Sequence, residues 1–169
     1  MTRSHLADAF GHHAWATLRV IDACLPLSPE QLDTTVPGTY GSILDTARHL
    51  VASDAYYVSV MKGGPIAEID EEGMDLAAAR SLVVDTAEAW TALLGADLDL
   101  ERIVVRYRDD GSESHAPMTI RLAQALHHGT DHRSQIATAL TNLGIEPPEI
   151  DVWAYGRDDG RVFETEPKA

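Results

Sequence analysis

Two histidines, His128 and His132, stand four residues apart in the run Ala125-Leu-His-His-Gly-Thr-Asp-His-Arg-Ser-Gln135. In a helix that spacing puts both imidazoles on one face, one turn apart. A helix offers two nitrogen ligands to one metal ion in this way, although paired histidines also occur on solvated helix faces. A third histidine, His49, lies on an otherwise apolar, helix-like segment far away in sequence. Two ligands from one helix and one from a facing helix define a triangular face of the kind built in bundle cores. Three neutral imidazoles suit Zn²⁺, Ni²⁺ or Fe²⁺ and leave at least one coordination position open. A structural zinc would be closed by a fourth ligand, often cysteine, and the only cysteine, Cys24, sits in an apolar run. An open site points to chemistry, by a water of lowered pKa or by a thiolate held ready for attack.

The flanking residues divide by direction. His127 points about 100° away from the pair around the helix and reads as a packing group or as support behind the ligands, with a ligand role as the alternative. His12 and His13 fall on a first helical segment, where they pack or line the same cavity, while His5 and His115 read as exposed. Gln135, three residues past His132, is placed to hydrogen-bond a ligand or a substrate. Arg133 reads as the anchor of an acidic loop, with substrate binding as the alternative, and Asp131 as solvated or ion-paired. Asp45, one turn before His49, is the best candidate for a general base if the metal activates water. Trp15, Tyr56, Tyr57 and Trp153 read as core or cavity wall. Other chemistries lack their motifs: there is no G-x-S-x-G, no phosphate-binding glycine loop, no dinucleotide fingerprint and no H-E-x-x-H.

Four helix-length segments must position these groups. The first runs from about Ser4 to Leu25 with apolar residues at helical spacing, and Pro26 ends it. The second follows Ser42, an N-cap with Asp45 at its third position, and continues to Lys62, where Gly63-Gly-Pro65 stops it. The third covers about Asp75 to Leu94. The fourth starts at Thr119 and ends at Gly144, before Pro147-Pro148. Between the third and fourth, Ile103-Val-Val-Arg-Tyr-Arg-Asp-Asp-Gly-Ser112 reads as a short β-hairpin that returns through His115 to Met118. Connections of roughly 15, 12 and 20 residues exceed the usual helix–helix loop and are able to cross a bundle end. The expected fold is therefore all-α: a four-helix bundle with long crossover connections and a short hairpin between helices 3 and 4. A single domain over 1–169 is expected, with the aromatic tail from about residue 150 packing back on the bundle.

Composition narrows the partners. Net charge is −14, from 27 acidic and 13 basic residues, with no Lys/Arg stripe, so nucleic acid is not expected to bind. No apolar run approaches the roughly 20 residues that span a bilayer, and Met1-Thr-Arg-Ser-His-Leu6 lacks the apolar core of a signal peptide. One cysteine makes no internal disulfide, and Cys24 reads as a core residue rather than a reactive thiol. A cytoplasmic protein acting on a small molecule is expected, and amphipathic helices with aromatic faces suit a homodimer.

The residues also carry a resemblance. The run His128-Gly-Thr-Asp-His-Arg-Ser-Gln-Ile136 matches an H-x-x-x-H-R-x-Q signature, and Tyr40-Gly-Ser-Ile-Leu-Asp-Thr-Ala-Arg-His-Leu-Val51 a second-helix signature. With Trp15-Ala16, the acidic connector Leu27-Ser-Pro-Glu-Gln-Leu-Asp33 and the sequel Leu143-Gly-Ile-Glu-Pro-Pro-Glu-Ile-Asp151, nearly the whole chain resembles the DinB/YfiT-like superfamily of four-helix-bundle metalloenzymes. Asp131, Ser134 and His127 depart from residues common in relatives, namely histidine, glycine and asparagine. The resemblance implies that His49, His128 and His132 are the metal ligands, with Zn²⁺ or Ni²⁺ the expected ion. It also implies a low-molecular-weight-thiol S-transferase, using a thiol such as mycothiol or bacillithiol as cosubstrate. The alternatives are a metal-dependent hydrolase using an activated water and a non-catalytic metal- or ligand-binding stress protein.

Overall fold

Residues 4–63 and 68–165 are described by a computed structural model. Helix α1 spans His5–Cys24, and the Ser4 hydroxyl accepts from Ala7 N–H to cap it. The chain then makes a one-turn helix, α2 (Pro29–Leu32), closed by a capping box between Ser28 and Gln31. Helix α3 spans Ile43–Lys62, with the expected capping box between Ser42 and Asp45. It ends at Gly63, whose φ of 74° is the left-handed geometry glycine accepts without strain. Gly64 and Pro65, expected to stop this helix, lie outside the described residues.

Helix α4 is Leu76–Gly95, capped by Asp75, and α5 is Met118–Asn142. These four long helices are the four expected segments, with ends shifted by one or two residues. The tail contains a short helix, α6 (Val152–Asp158). It packs on α1, where Trp15 Nε1 donates to Asp158 and Arg161 pairs with Asp8. Trp153, expected in the core or a cavity wall, is 69% exposed instead, because α6 turns Ala154 and Tyr155 inward.

The hairpin falls between α4 and α5. Strand β1 (Ile103–Tyr107) pairs antiparallel with β2 (Glu113–Pro117), in register Ile103 with Pro117 through Tyr107 with Glu113. Gly111, at φ 80°, turns the loop between them. Pro117 precedes α5 and gives it no side-chain cap. The first amides of α5 are satisfied by the chain leading into the hairpin, with Met118 N–H on Arg102 O and Thr119 N–H on Leu100 O. Arg121 then donates to Val104 O and Ser114 O, which fastens both strands to α5.

Helix α1 packs on α4 and α5, and so does α3. The first two long helices, α1 and α3, thus stand on one diagonal, and α4 and α5 on the other. The long connections make those diagonal crossings, so the order is not up-down between adjacent helices. The core has two apolar halves. One gathers Val20, Ile21, Leu50, Val83, Ile136 and Leu140, and the other Phe10, Val58, Trp90, Met118 and Leu122. Along α1, α3 and α5 the residues between these halves include polar ones: His13 and Thr17, Asp54, and Arg133. No described helix is long and apolar enough to cross a membrane.

Candidate metal centre

The polar layer reaches the seam between α3 and α5, and there three imidazoles meet. His128 Nε2 lies 3.1 Å from His132 Nε2 and 3.3 Å from His49 Nε2. One nitrogen from each of the three falls within 4.8 Å of the others, an arrangement that could hold a metal ion. Metal–nitrogen bonds of about 2.0–2.1 Å put neighbouring nitrogen ligands roughly 2.9–3.4 Å apart, so the two short separations fit a common ion. His127 is exposed on the other side of α5 and takes no part, which leaves His128 as the member of the adjacent pair in the cluster.

Hydrogen bonds behind the cluster set the tautomers. Gln135 Oε1 accepts from Tyr40 N–H at 3.0 Å and lies 3.0 Å from His132 Nδ1. Because a backbone N–H can only donate, the amide oxygen faces both groups. His132 Nδ1 must then carry the proton, leaving the Nε2 lone pair directed inward. His49 Nδ1 is 3.3 Å from Glu71 Oε1, which places its proton on the carboxylate side and turns its Nε2 inward too. Lone pairs converging at such distances repel one another unless a cation or proton stands between them.

Burial disfavours charge on two of the three rings. Desolvation, then the neighbouring His132 and His49, hold His128 down at about 4. Burial lowers His132 as well, partly offset by its bond to Gln135.

Two connections place the supporting groups. Arg48 Nε donates to Met74 O at 2.6 Å, and Met74 is buried in the core. The α3–α4 connection is therefore pinned to α3 one residue before His49, and Glu71 is carried to that ring. On the other side, Tyr40 stacks on His49, with centroids 4.1 Å apart and planes 9° apart, and meets His132 edge-on. Tyr57 packs edge-on against His128 and its hydroxyl accepts from Gln124. Glu71 and Tyr40 were not identified from the sequence. Both lie in connections, where no periodicity aims a side chain.

Other expectations resolve differently. Asp45 does not face the cluster as a base would: its carboxylate accepts from Ser42 Oγ and N–H, closing the helix cap. Arg133 anchors no acidic loop among the described residues. It is 3% exposed and donates to His13 Nδ1, Thr17 Oγ1 and Thr130 Oγ1. Desolvation lowers it to about 10, against the opposing charge of Asp54, so it stays cationic at neutral pH. Since Arg133 can only donate, His13 carries its proton on Nε2, which approaches Asp54 Oδ1 at 3.0 Å. Asp54 also accepts from Trp90 Nε1. A polar chain thus runs from buried Arg133 and His13 to the half-buried Asp54, between the two halves of the core.

His12 is part-buried and bonds Ile150 O, away from the cluster, while His5 and His115 are exposed. Asp131 is exposed, and Cys24 is fully buried, with its thiol pushed up to about 12 by burial.

A family model described as the DinB family matches residues 1–165 of the chain. No match is found among curated proteins.

Proposed function

The chain belongs to the DinB family, and on that premise we propose that its histidine cluster is the Zn²⁺ or Ni²⁺ centre of an enzyme transferring a low-molecular-weight thiol, of mycothiol or bacillithiol type, to an electrophile. One observation carries the reading: three Nε2 atoms converge, while Glu71 and Gln135 hold the opposite nitrogens of His49 and His132. A divalent cation bound there supplies the charge that keeps a thiol ionised near neutral pH. Three protein ligands leave a position for an exogenous sulfur.

The chain's own residues orient and shield. Gln135 and Glu71 keep two imidazoles turned inward, and the Tyr40 ring covers His49. The transfer balances without an oxidant: the thiol gives its proton to solvent, the sulfur lone pair forms the new S–C bond, and the leaving group departs with its bonding pair. Hydrolysis would need a free base beside the cluster. Asp45 is engaged in the helix cap and Glu71 with His49, which favours the thiol reading over the hydrolytic one.

Protein purified without an affinity tag is expected to carry stoichiometric metal by elemental analysis, lost in His128→Ala. The metal-loaded protein is expected to conjugate monochlorobimane with mycothiol or bacillithiol, displacing chloride. Absence of metal, or loaded protein that neither binds nor conjugates such thiols, overturns the reading.

A further inference from the structure

A cavity of about 330 Å³ opens beside the histidine cluster, lined by Ser53, Tyr56 and Tyr57 of α3, Ile69 and Glu71 of the following connection, and Arg106 of β1. Two of these walls touch the cluster itself. Glu71 holds His49, and Tyr57 packs on His128. Anything bound in the cavity therefore lies against two side chains that contact His49 and His128.

Arg106 is the unusual member. Every other described arginine donates to a carboxylate, a carbonyl, a hydroxyl or an imidazole. The Arg106 side chain makes no hydrogen bond or ion pair among the described residues, in a chain with 27 acidic side chains. Its Nε is shut off from solvent without a partner, and its guanidinium lies over the Tyr56 ring at 5.1 Å. Stacking fixes the plane of the fork before any ligand arrives, which lowers the ordering cost of a bidentate contact. A planar, unpaired guanidinium matches a carboxylate in shape and charge.

We propose that this cavity binds a small organic acid, or a thiol bearing a carboxylate, and that Arg106 is the residue that binds the carboxylate. The apolar faces of Tyr57 and Ile69 take the ligand's body. The Glu71 charge, already committed to His49, repels an anion at the inner end of the cavity. The carboxylate is thereby directed to the Arg106 end and the reacting end of the ligand to the cluster. The assignment rests on reading the cluster as the reaction centre.

The test is calorimetric titration of zinc-loaded wild type, Arg106→Ala and Arg106→Lys with 3-mercaptopropionate and with 2-mercaptoethanol, plus benzoate on metal-free protein. Wild type is expected to bind the acidic thiol at least about tenfold more tightly than the neutral one, the size of one charge-assisted contact. In Arg106→Ala that preference disappears while 2-mercaptoethanol binds as before, and Arg106→Lys is intermediate. An undiminished preference in Arg106→Ala overturns the proposal. If neither thiol binds wild type, the thiol reading of the cluster fails. Benzoate then decides the carboxylate site: binding lost in Arg106→Ala supports it, and no binding to wild type sinks it.

Discussion

Replacing Gly129 by alanine is expected to destabilise the protein although it adds only a methyl group to a helix interior. Gly129 lies on α5 where that helix crosses α1. A Cβ built there would stand 2.8 Å from His13 Nδ1 and 2.9 Å from Arg133 NH1, and closer still to His13 Cε1. Those nitrogens are joined by a 3.2 Å hydrogen bond, so the methyl would enter the bond itself. His13 is 1% exposed, leaving its ring no open space to swing into.

Three terms set the size. Overpacking a filled interior costs about 1–3 kcal/mol. A buried bond to a charged donor, once broken, costs about 1–3 kcal/mol more. Alanine's higher helix propensity returns about 1 kcal/mol. The net is a loss of about 3 kcal/mol, or roughly 6–12 °C in Tm for a chain of this size. The assay is urea and thermal unfolding of metal-free protein, followed by circular dichroism and tryptophan fluorescence. The sign makes it decisive. If the chain from Arg133 through His13 to Asp54 did not fill this crossing, Gly129→Ala would gain about 1 kcal/mol from propensity alone. An unchanged or more stable variant refutes the packing described for the polar layer.

Three further outcomes are expected. Glu71→Ala and Gln135→Ala leave all three histidines in place yet each weakens metal binding about 10- to 100-fold, measured by competition with a chelating indicator; unchanged affinity would mean that the tautomers are not set by these residues. Cys24, buried with its thiol raised to about 12, is expected not to react with Ellman's reagent at pH 8 in the folded protein and to react fully in denaturant; labelling of the native state would contradict its placement. His12 is lowered from 6.5, chiefly by burial, so the unfolded chain takes up its proton first as pH falls. The stability from neutral His12 is thus complete above about pH 6.5 and is lost on acidification through the lowered folded value. The drop in urea midpoint from pH 8 to 5.5 should be smaller in His12→Gln than in wild type, and equal drops would count against it.

Helix α3 shows how far local signals reach. Its start at the Ser42 and Asp45 capping box, its end at Gly63 and the position of His49 within it all follow from short-range rules. The His128/His132 spacing likewise needs only helical geometry to bring two rings to one face. The hairpin announces itself by alternation and the Asp110-Gly111 turn. The same local logic misled for Asp45 and Arg133. Asp45 has the spacing of a base beside His49, but the free amide and hydroxyl of Ser42 lie nearer. Arg133 follows a histidine of the cluster, yet the α1–α5 crossing draws it inside to His13 and Thr17.

By itself, then, the amino-acid sequence determined the helices, their caps and the placing of His128 and His132 on one helix face, because each depends on residues within a few positions along the chain. Only the tertiary structure decided what stands behind and beside them: Glu71 on His49, Tyr40 over the same ring, His13 between Arg133 and Asp54, and Arg106 in a cavity wall with no side-chain hydrogen-bond or ion-pair partner among the described residues. Those pairings join helices to one another and to the connections between them. No local period encodes them, because they follow from how whole helices and connections pack.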